Sequence, residues 1–442
     1  MTVQAEPESP RIAQLEHQLR NGNSAALEVF WSRLHEDGAP IVEPISGDNG
    51  HSLLTFVWQR KADVSAAAVH GPGLPGFFQM LHELMGSDAF YRTYRVRKDF
   101  RTSYRLALNP PSITLPPDSE EKANEIQAYM LNPDVLIPDP LNANRRHIGN
   151  HLDPARPSDP PREVFSSVVE LADAPPQPYV ARRPGVPHGW VHSHRFASAI
   201  LGNERNIYLY TPPGYAESDA EYSLLITFDG LAYVRLVPTN NIVDNLLAEG
   251  RIPPLIVAAL DNPDQATRSR ELPCYEPFSE FLATEFLPWL HANYRVTSDP
   301  SRVVVAGSSH GGLAASFVAL RYPELFGNVL SQSGSYYWGP GIDFSKALPE
   351  ANGAFQWLPG QYAAAEKLPL RFYVEVGLLE SALITQPERP KESDQLLGNR
   401  RMRDVLAEKG YEVHYSEFNG GHDYACWRGS FADGLIALLG SG

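Results

Sequence analysis

The sequence predicts a doubly wound α/β domain preceded by a smaller antiparallel β-sandwich. Three observations predict this division. Short strand-like runs separated by Gly, Pro and Asp turns fill the first third of the 442-residue chain. A dense proline stretch from Pro133 to Pro187 follows, where helix interiors and sheet centres are blocked. Beyond it, continuous apolar runs alternate with amphipathic segments at helical spacing, as buried parallel strands and their crossover helices require. The expected divide lies near residue 165 inside an extended surface connector, giving parts 1–165 and 166–442.

Taken in order, residues 11–36 place Leu15, Leu19, Leu27, Phe30, Trp31 and Leu34 at roughly helical spacing. Gly22-Asn23-Ser24 breaks the run into two helices, with Asn23 or Ser24 as cap. Strand-like runs follow at 52–59, 65–70, 90–98 and 103–108, and the expected sandwich is built from these. The basic residues Arg92, Arg95, Arg97, Lys98, Arg101 and Arg105 sit on them and read first as a solvated face. After the connector, strands are expected at 206–212, 223–230, 254–261, 302–307, 328–334, 371–377 and 412–420, with helices between them.

Composition narrows the function. A net charge of −15 repels phosphate backbones, so nucleic acid is not an expected partner. No stretch approaches the ~20 apolar residues of a membrane span. The acidic, polar N-terminus lacks the basic and apolar regions of a secretory signal. Two cysteines, Cys274 and Cys426, form no disulfide framework, and a reducing cytoplasm is the simplest reading; a single bridge between them stays open.

The sharpest motif is Gly307-Ser308-Ser309-His310-Gly311, a G-x-S-x-G directly after a β-branched run and directly before a helix. That context is the nucleophile elbow, in which the serine occupies a tight turn and presents its Oγ above the strand ends. Ser309 is the candidate nucleophile; Ser308 is out of register with the glycines and reads as packing. A serine hydroxyl needs a base. Of the two downstream histidines, His414 lies inside a strand run, whereas His422 lies in the loop FNGGHDYACW, where glycines let the chain bend. His422 is the candidate base. The acid is expected after the preceding strand, and Glu380 in GLLES stands three residues past Gly377. Glu375 sits within the strand, Glu392 and Asp394 lie deeper in a polar loop, and Asp423 adjoins the histidine too closely to reach around its ring. The oxyanion donors expected are the amides of His310 and of Leu231 in the loop FDGLAYV. The His310 side chain either contacts substrate or fills the elbow.

Two further loops at strand ends bear on substrate. One carries Arg268 and Arg270; the other carries Tyr336, Tyr337 and Trp338. Guanidinium groups beside flat rings suit an anionic aromatic ligand, with Tyr337, Trp338 and the arginines as candidate contacts. The competing reading pairs one arginine with Glu271 or Glu276. His188, His192 and His194 lack a nearby acidic or thiol ligand at fixed spacing, so no metal site is expected.

These residues resemble the enterochelin (enterobactin) esterase family, within the esterase-D-like branch of α/β-hydrolases. The resemblance runs over nearly the whole chain, through LLITFDG, TRSRELPC, AGSSHGGLAA, YPELFGNVLSQSGSYYW, VEVGLLE and NGGHDYACWRG, with TFVWQR and DPLN in the first part. It implies Ser309 as nucleophile, His422 as base, Glu380 as acid, Leu231 and His310 as oxyanion donors, and Arg268 as a contact for an anionic ligand. It also implies a cytoplasmic enzyme that cleaves the ester bonds of a catecholate siderophore, with or without Fe3+, and needs no cofactor or catalytic metal. His310 stands where the family often has an aromatic residue. Acyl transfer or cyclisation through the same acyl-enzyme, an esterase acting on another natural-product ester, and a non-catalytic siderophore binder are the alternatives.

Overall fold

The computed structural model describes residues 8–112, 119–148, 164–342, 355–384 and 389–440. Its contacts divide the chain into two units: Met1–Gly149 with Glu163–Pro175 and Asn419–Asp423, and the remainder from Pro176 onward together with 150–162. Residues 1–7 of the polar N-terminus and the proline-rich segment 152–163 lie outside the described residues.

The first unit opens with helices Pro10–Arg20 and Ala25–Asp37, broken at the expected Gly22-Asn23-Ser24. Ser24 occupies the N-cap of the second helix, but its side chain makes no cap bond; Ser9 caps the first by accepting from the Ile12 amide. The helices bury Ile12, Leu15, Ala26, Trp31 and Leu34 against Ile41, Val57 and Leu84. One antiparallel sheet runs 41–45, 48–59, 89–97, 82–83 in spatial order, and the other runs 79–80, 67–70, 101–108, 165–170, 145–147. Phe56 of the first sheet meets Tyr104 of the second edge to face at 4.8 Å, which is the packing of a sandwich. The Tyr104 hydroxyl donates to Asp139 (2.8 Å) and accepts from Asn142 (3.0 Å), so the DPLN segment forms a buried polar knot.

The expected divide near 165 falls on a strand. Phe165–Glu170 pairs antiparallel with Arg101–Leu108, and 163–175 therefore belong to the first unit. Continuous burial of Ser166–Val169 outweighs the surrounding prolines. Three of the six residues of the basic run are held in ion pairs: Arg95 with Asp48, Arg97 with Asp99, and Arg101 with Glu170.

The second unit is an eight-stranded sheet. We label its strands β1 (Trp190–Ser198), β2 (Asn203–Thr211), β3 (Ser223–Phe228), β4 (Leu255–Leu260), β5 (Val303–Ser308), β6 (Asn328–Gln332), β7 (Arg371–Gly377) and β8 (Glu412–Phe418). Their spatial order is β1-β2-β4-β3-β5-β6-β7-β8, antiparallel at the β1, β2 and β4 contacts and parallel thereafter. Leu224, Ile226, Val303 and Val305 point into one helical layer, whereas Leu225, Val304 and Ala306 point into the other. Both faces are covered, which explains why these strands read as unbroken apolar runs. The proline-rich chain just before β1 is pinned rather than loose: Asn245 donates to the carbonyls of Tyr179 and Ala181.

Candidate active site

The second unit brings its chemistry to the carboxyl ends of the parallel strands. Ser309 follows β5 directly and precedes the helix His310–Arg321. Its backbone sits at φ 58°, ψ −122°, a strained conformation that a non-glycine residue adopts only when surroundings enforce it. The enforcement is visible. The Ser309 amide donates to the Gln332 carbonyl (3.0 Å), and its own carbonyl accepts from the amides of Ser335 (3.0 Å) and Leu313 (3.1 Å). A Cβ on Gly307 would lie 2.5 Å from Gly311, and one on Gly312 would lie 2.6 Å from Ser331 Oγ. A Cβ on Gly311 would meet only ordinary contacts at 3.6 Å. The glycines that close the turn are thus Gly307 and Gly312, and Gly311 matters as the backbone that Gly307 packs upon.

Ser308 is buried beneath the turn, where Tyr233 and Tyr424 hydrogen-bond to it. Ser309 Oγ itself lies 3.3 Å from the hydroxyl of the fully buried Ser335. His310 occupies the first turn of the helix and is half-buried.

Glu380 stands in the turn just past β7. One of its carboxylate oxygens, Oε1, accepts from the Ser333 hydroxyl (2.6 Å) and from the Gly377 amide (2.7 Å). The rejected acids are occupied elsewhere. Asp394 caps the helix Gln395–Glu408 and accepts from Ser381. Glu375 is 1% exposed and accepts from Gln332, Ser430 and Tyr373; burial pushes its carboxyl up to about 7.

His422 is an exposed residue of the segment Asn419–Asp423, whose contacts assign it to the first unit. There Asn419 donates to Asp99 (2.7 Å), and Asp423 accepts from the Ser103 amide (2.5 Å) and the Thr102 hydroxyl (3.3 Å). A Cβ on Gly421 would fall 1.9 Å from the Pro72 carbonyl oxygen, so only glycine fits. Two residues past His422, Tyr424 opens the helix Tyr424–Leu439 of the second unit.

Leu231 lies in the first turn of the short helix Gly230–Arg235, after Asp229 in left-handed backbone at φ 57°. Burial pushes the Asp261 carboxyl up to about 7, held back by the amides of Asn262 and Leu231. The expected donor amide therefore borders a buried carboxyl group.

At two expected substrate contacts the structure differs. Arg268 and Arg270 are expected on one strand-end loop, but Gln265–Glu271 is a helix, and residues two apart on a helix point about 200° apart. Arg270 is exposed and pairs with Glu271 at 3.1 Å, one of the two acids named as competing partners. Arg268 turns inward instead and grips Asp229 through Nε (2.6 Å) and Nη2 (2.7 Å). Asn262 donates to the same carboxylate. Trp338 packs edge-on against Trp357, a core role. Tyr337 is half-buried; burial raises its phenol above the usual range, Ser335 hydrogen-bonds to it, the Arg389 and Arg268 guanidiniums oppose the rise, and Glu380 adds to it. Arg389, in the loop after Glu380, is a cation near the ring that periodicity could not reveal. Asp229 was also missed, though its place one residue before the expected oxyanion helix was a signal.

The histidine triplet separates: His188 bonds to buried Asp244 (3.0 Å), and His194 meets the Tyr294 hydroxyl (2.9 Å). His192 is exposed on β1. Among the described residues no group of three His, Cys, Asp or Glu side chains could hold a metal ion, and no helix is long and apolar enough to cross a membrane. Cys274 and Cys426 form no disulfide.

The family described as "Putative esterase" matches residues 198–438, and the family "Enterochelin esterase, N-terminal" matches 53–180. The iron(III) enterobactin esterase of Dickeya dadantii is 30% identical over 95% of both chains. The chain belongs to the enterobactin esterase family. The iron(III) salmochelin esterase of Escherichia coli is 25% identical over 97% of this chain and 98% of its own. The enterobactin esterase of Shigella flexneri, crystallised in the presence of enterobactin, superposes with a TM-score of 0.70 at 25% identity, over 93% of this chain and 97% of that one. As a member of the enterobactin esterase family the protein is a carboxylic ester hydrolase of the serine type, with an α/β-hydrolase domain preceded by a β-sandwich.

Proposed function

We propose that the protein hydrolyses the ester bonds of a catecholate siderophore trilactone in the cytoplasm, with bound Fe3+ as cargo of the substrate. The observation that carries this reading is the strained Ser309 turn at the end of β5, in a chain whose relatives are named for enterobactin and salmochelin ester cleavage. Two cysteines that form no disulfide, Cys274 and Cys426, suit a reducing compartment.

In the proposed reaction Ser309 Oγ attacks the ester carbonyl while His422 takes its proton. Glu380 holds the imidazole tautomer and stabilises the imidazolium. The amides of His310 and Leu231 receive the oxyanion of the tetrahedral intermediate. Its collapse breaks the C–O bond, and His422 returns the proton to the leaving serine-derived alkoxide. Water, deprotonated by His422, then cleaves the acyl-enzyme. Tyr337 and Arg268 are the proposed substrate contacts, with Arg389 adding positive charge near the ring. Such a local cluster is needed because an anionic ligand must approach a body of net charge −15.

The test is to incubate the protein with ferric and iron-free tris-catecholate trilactones and to follow linear products by mass spectrometry. Linear dimers and monomers of the acyl-serine are expected from the wild type and not from Ser309→Ala. Absence of turnover with both forms overturns the substrate assignment.

A further inference from the structure

Glu380 lies on a turn, and a glutamate on a turn has three free side-chain torsions to lose before it can orient anything. Something must hold it. Three elements meet at its Oε1 and at the hydroxyl beside it: the end of β6, the end of β7 and the helix Tyr424–Leu439.

Ser333 is the residue just past β6. It is fully buried, sits in left-handed backbone at φ 48°, and donates its amide to the Glu375 carbonyl at 2.7 Å. Glycine would take that conformation without strain. The serine supplies a hydroxyl that glycine lacks, and that hydroxyl is directed. The Trp427 indole Nε1–H donates to Ser333 Oγ at 3.0 Å. With that donor in place, the single proton of the hydroxyl goes to Glu380 Oε1, 2.6 Å away. The Gly377 amide donates to the same oxygen. A carboxylate fixed through Oε1 by two donors presents Oε2 in a defined direction.

We propose that Ser333 is a positioning residue for the acid of the triad, its hydroxyl aimed by the Trp427 indole so that Glu380 is held ready for the imidazole of His422. The inference rests on Glu380 being that acid. It assigns a task to the tryptophan of the YACWRG segment and to a strained serine, both acting through Glu380.

The test is a pH series of kcat and KM with p-nitrophenyl acetate, chosen so that the outcome is independent of the natural ester. Ser333→Ala, Ser333→Gly, Trp427→Phe, Glu380→Gln and the double variant Ser333→Ala/Glu380→Gln are compared with wild type, with thermal unfolding as the fold control. Hydrogen bonds to a charged group correspond to roughly ten- to hundredfold in rate, so both Ser333 variants should lose about that much kcat with little change in KM. Trp427→Phe should lose less. A displaced carboxylate no longer favours the imidazolium, so the acid limb of kcat/KM should move to lower pH in the Ser333 variants, as in Glu380→Gln. The double variant should be no slower than Glu380→Gln alone. If Glu380→Gln is impaired while Ser333→Ala and Ser333→Gly behave as wild type, the inference is overturned and the acid stands. Loss in Ser333→Ala alone, absent in Ser333→Gly, also overturns it, because backbone strain is then the cause. Wild-type activity in Glu380→Gln overturns the acid assignment itself, together with the inference built on it.

Discussion

The turn that carries Ser309 and the segment that carries His422 are held in opposite ways. Ser309 is enclosed by its own unit: the Gln332 carbonyl, the Ser335 and Leu313 amides and the packed glycines 307 and 312 all come from 307–335. The segment Asn419–Asp423 leaves the end of β8, draws its contacts from Pro72 and from Asp99 to Ser103, and returns to the second unit at Tyr424. The nucleophile is locally determined. The proposed base depends on partners some 320 residues away in sequence.

Breaking each side separately tests this contrast. The largest effect should come from Ser309→Ala, which should lower the rate of ester hydrolysis by roughly 10³-fold or more and abolish labelling by a fluorophosphonate, with an unchanged unfolding midpoint. Next in size is Gly421→Ala. The methyl would collide with the Pro72 carbonyl, so kcat should fall at least about a hundredfold as the segment shifts, with KM less affected. Gly311→Ala is its counterpart in the elbow and should keep fold and labelling, since a Cβ there meets nothing closer than 3.6 Å. A smaller loss is expected for Asp423→Ala, which removes the bonds to Ser103 and Thr102; kcat should drop roughly tenfold. An Asp423→Ala enzyme with unaltered kcat would mean that the first unit does not hold the segment in place.

The smallest effect on activity, and a clear one on stability, is expected behind the elbow. The Glu375 carboxyl is pushed up to about 7 by burial, from an ordinary value of 4.5. A group whose folded-state pKa is raised contributes stability that is fully present below about pH 4 and lost as the pH rises through about 7. That loss is of order 3 kcal/mol by linkage. Glu375→Gln should flatten the dependence of the unfolding midpoint between pH 5 and about 8, measured by scanning calorimetry. An unchanged slope would contradict the shift.

What could be read from the sequence follows the same contrast. The elbow was legible because its determinants are contiguous: a β-branched strand, glycines at fixed offsets and a helix within 20 residues. The strand Phe165–Glu170 was not, because FSSVVE is short and sits among prolines, and its pairing partner lies some 60 residues earlier. The Arg268–Asp229 grip spans 39 residues, and the helix Gln265–Glu271 is too short and polar to show periodicity, so both arginines were read as loop residues. The task of Asp423 was invisible for the same reason. Adjacency to His422 could be weighed, but the Ser103 amide that occupies its carboxylate comes from the far end of the chain.

The composite make-up of the first unit bears on how the protein is made. A ribosome delivers the sandwich strands first, yet five residues of that unit, Asn419–Asp423, emerge only after all eight strands of the second unit's sheet. Its closure is therefore a late event in vectorial synthesis, set by contacts that span 320 residues. A chain truncated before Asn419 would leave Asp99 without its asparagine and the Ser103 amide without its carboxylate, so the nascent first unit waits, one turn short, until the second unit's sheet has been made.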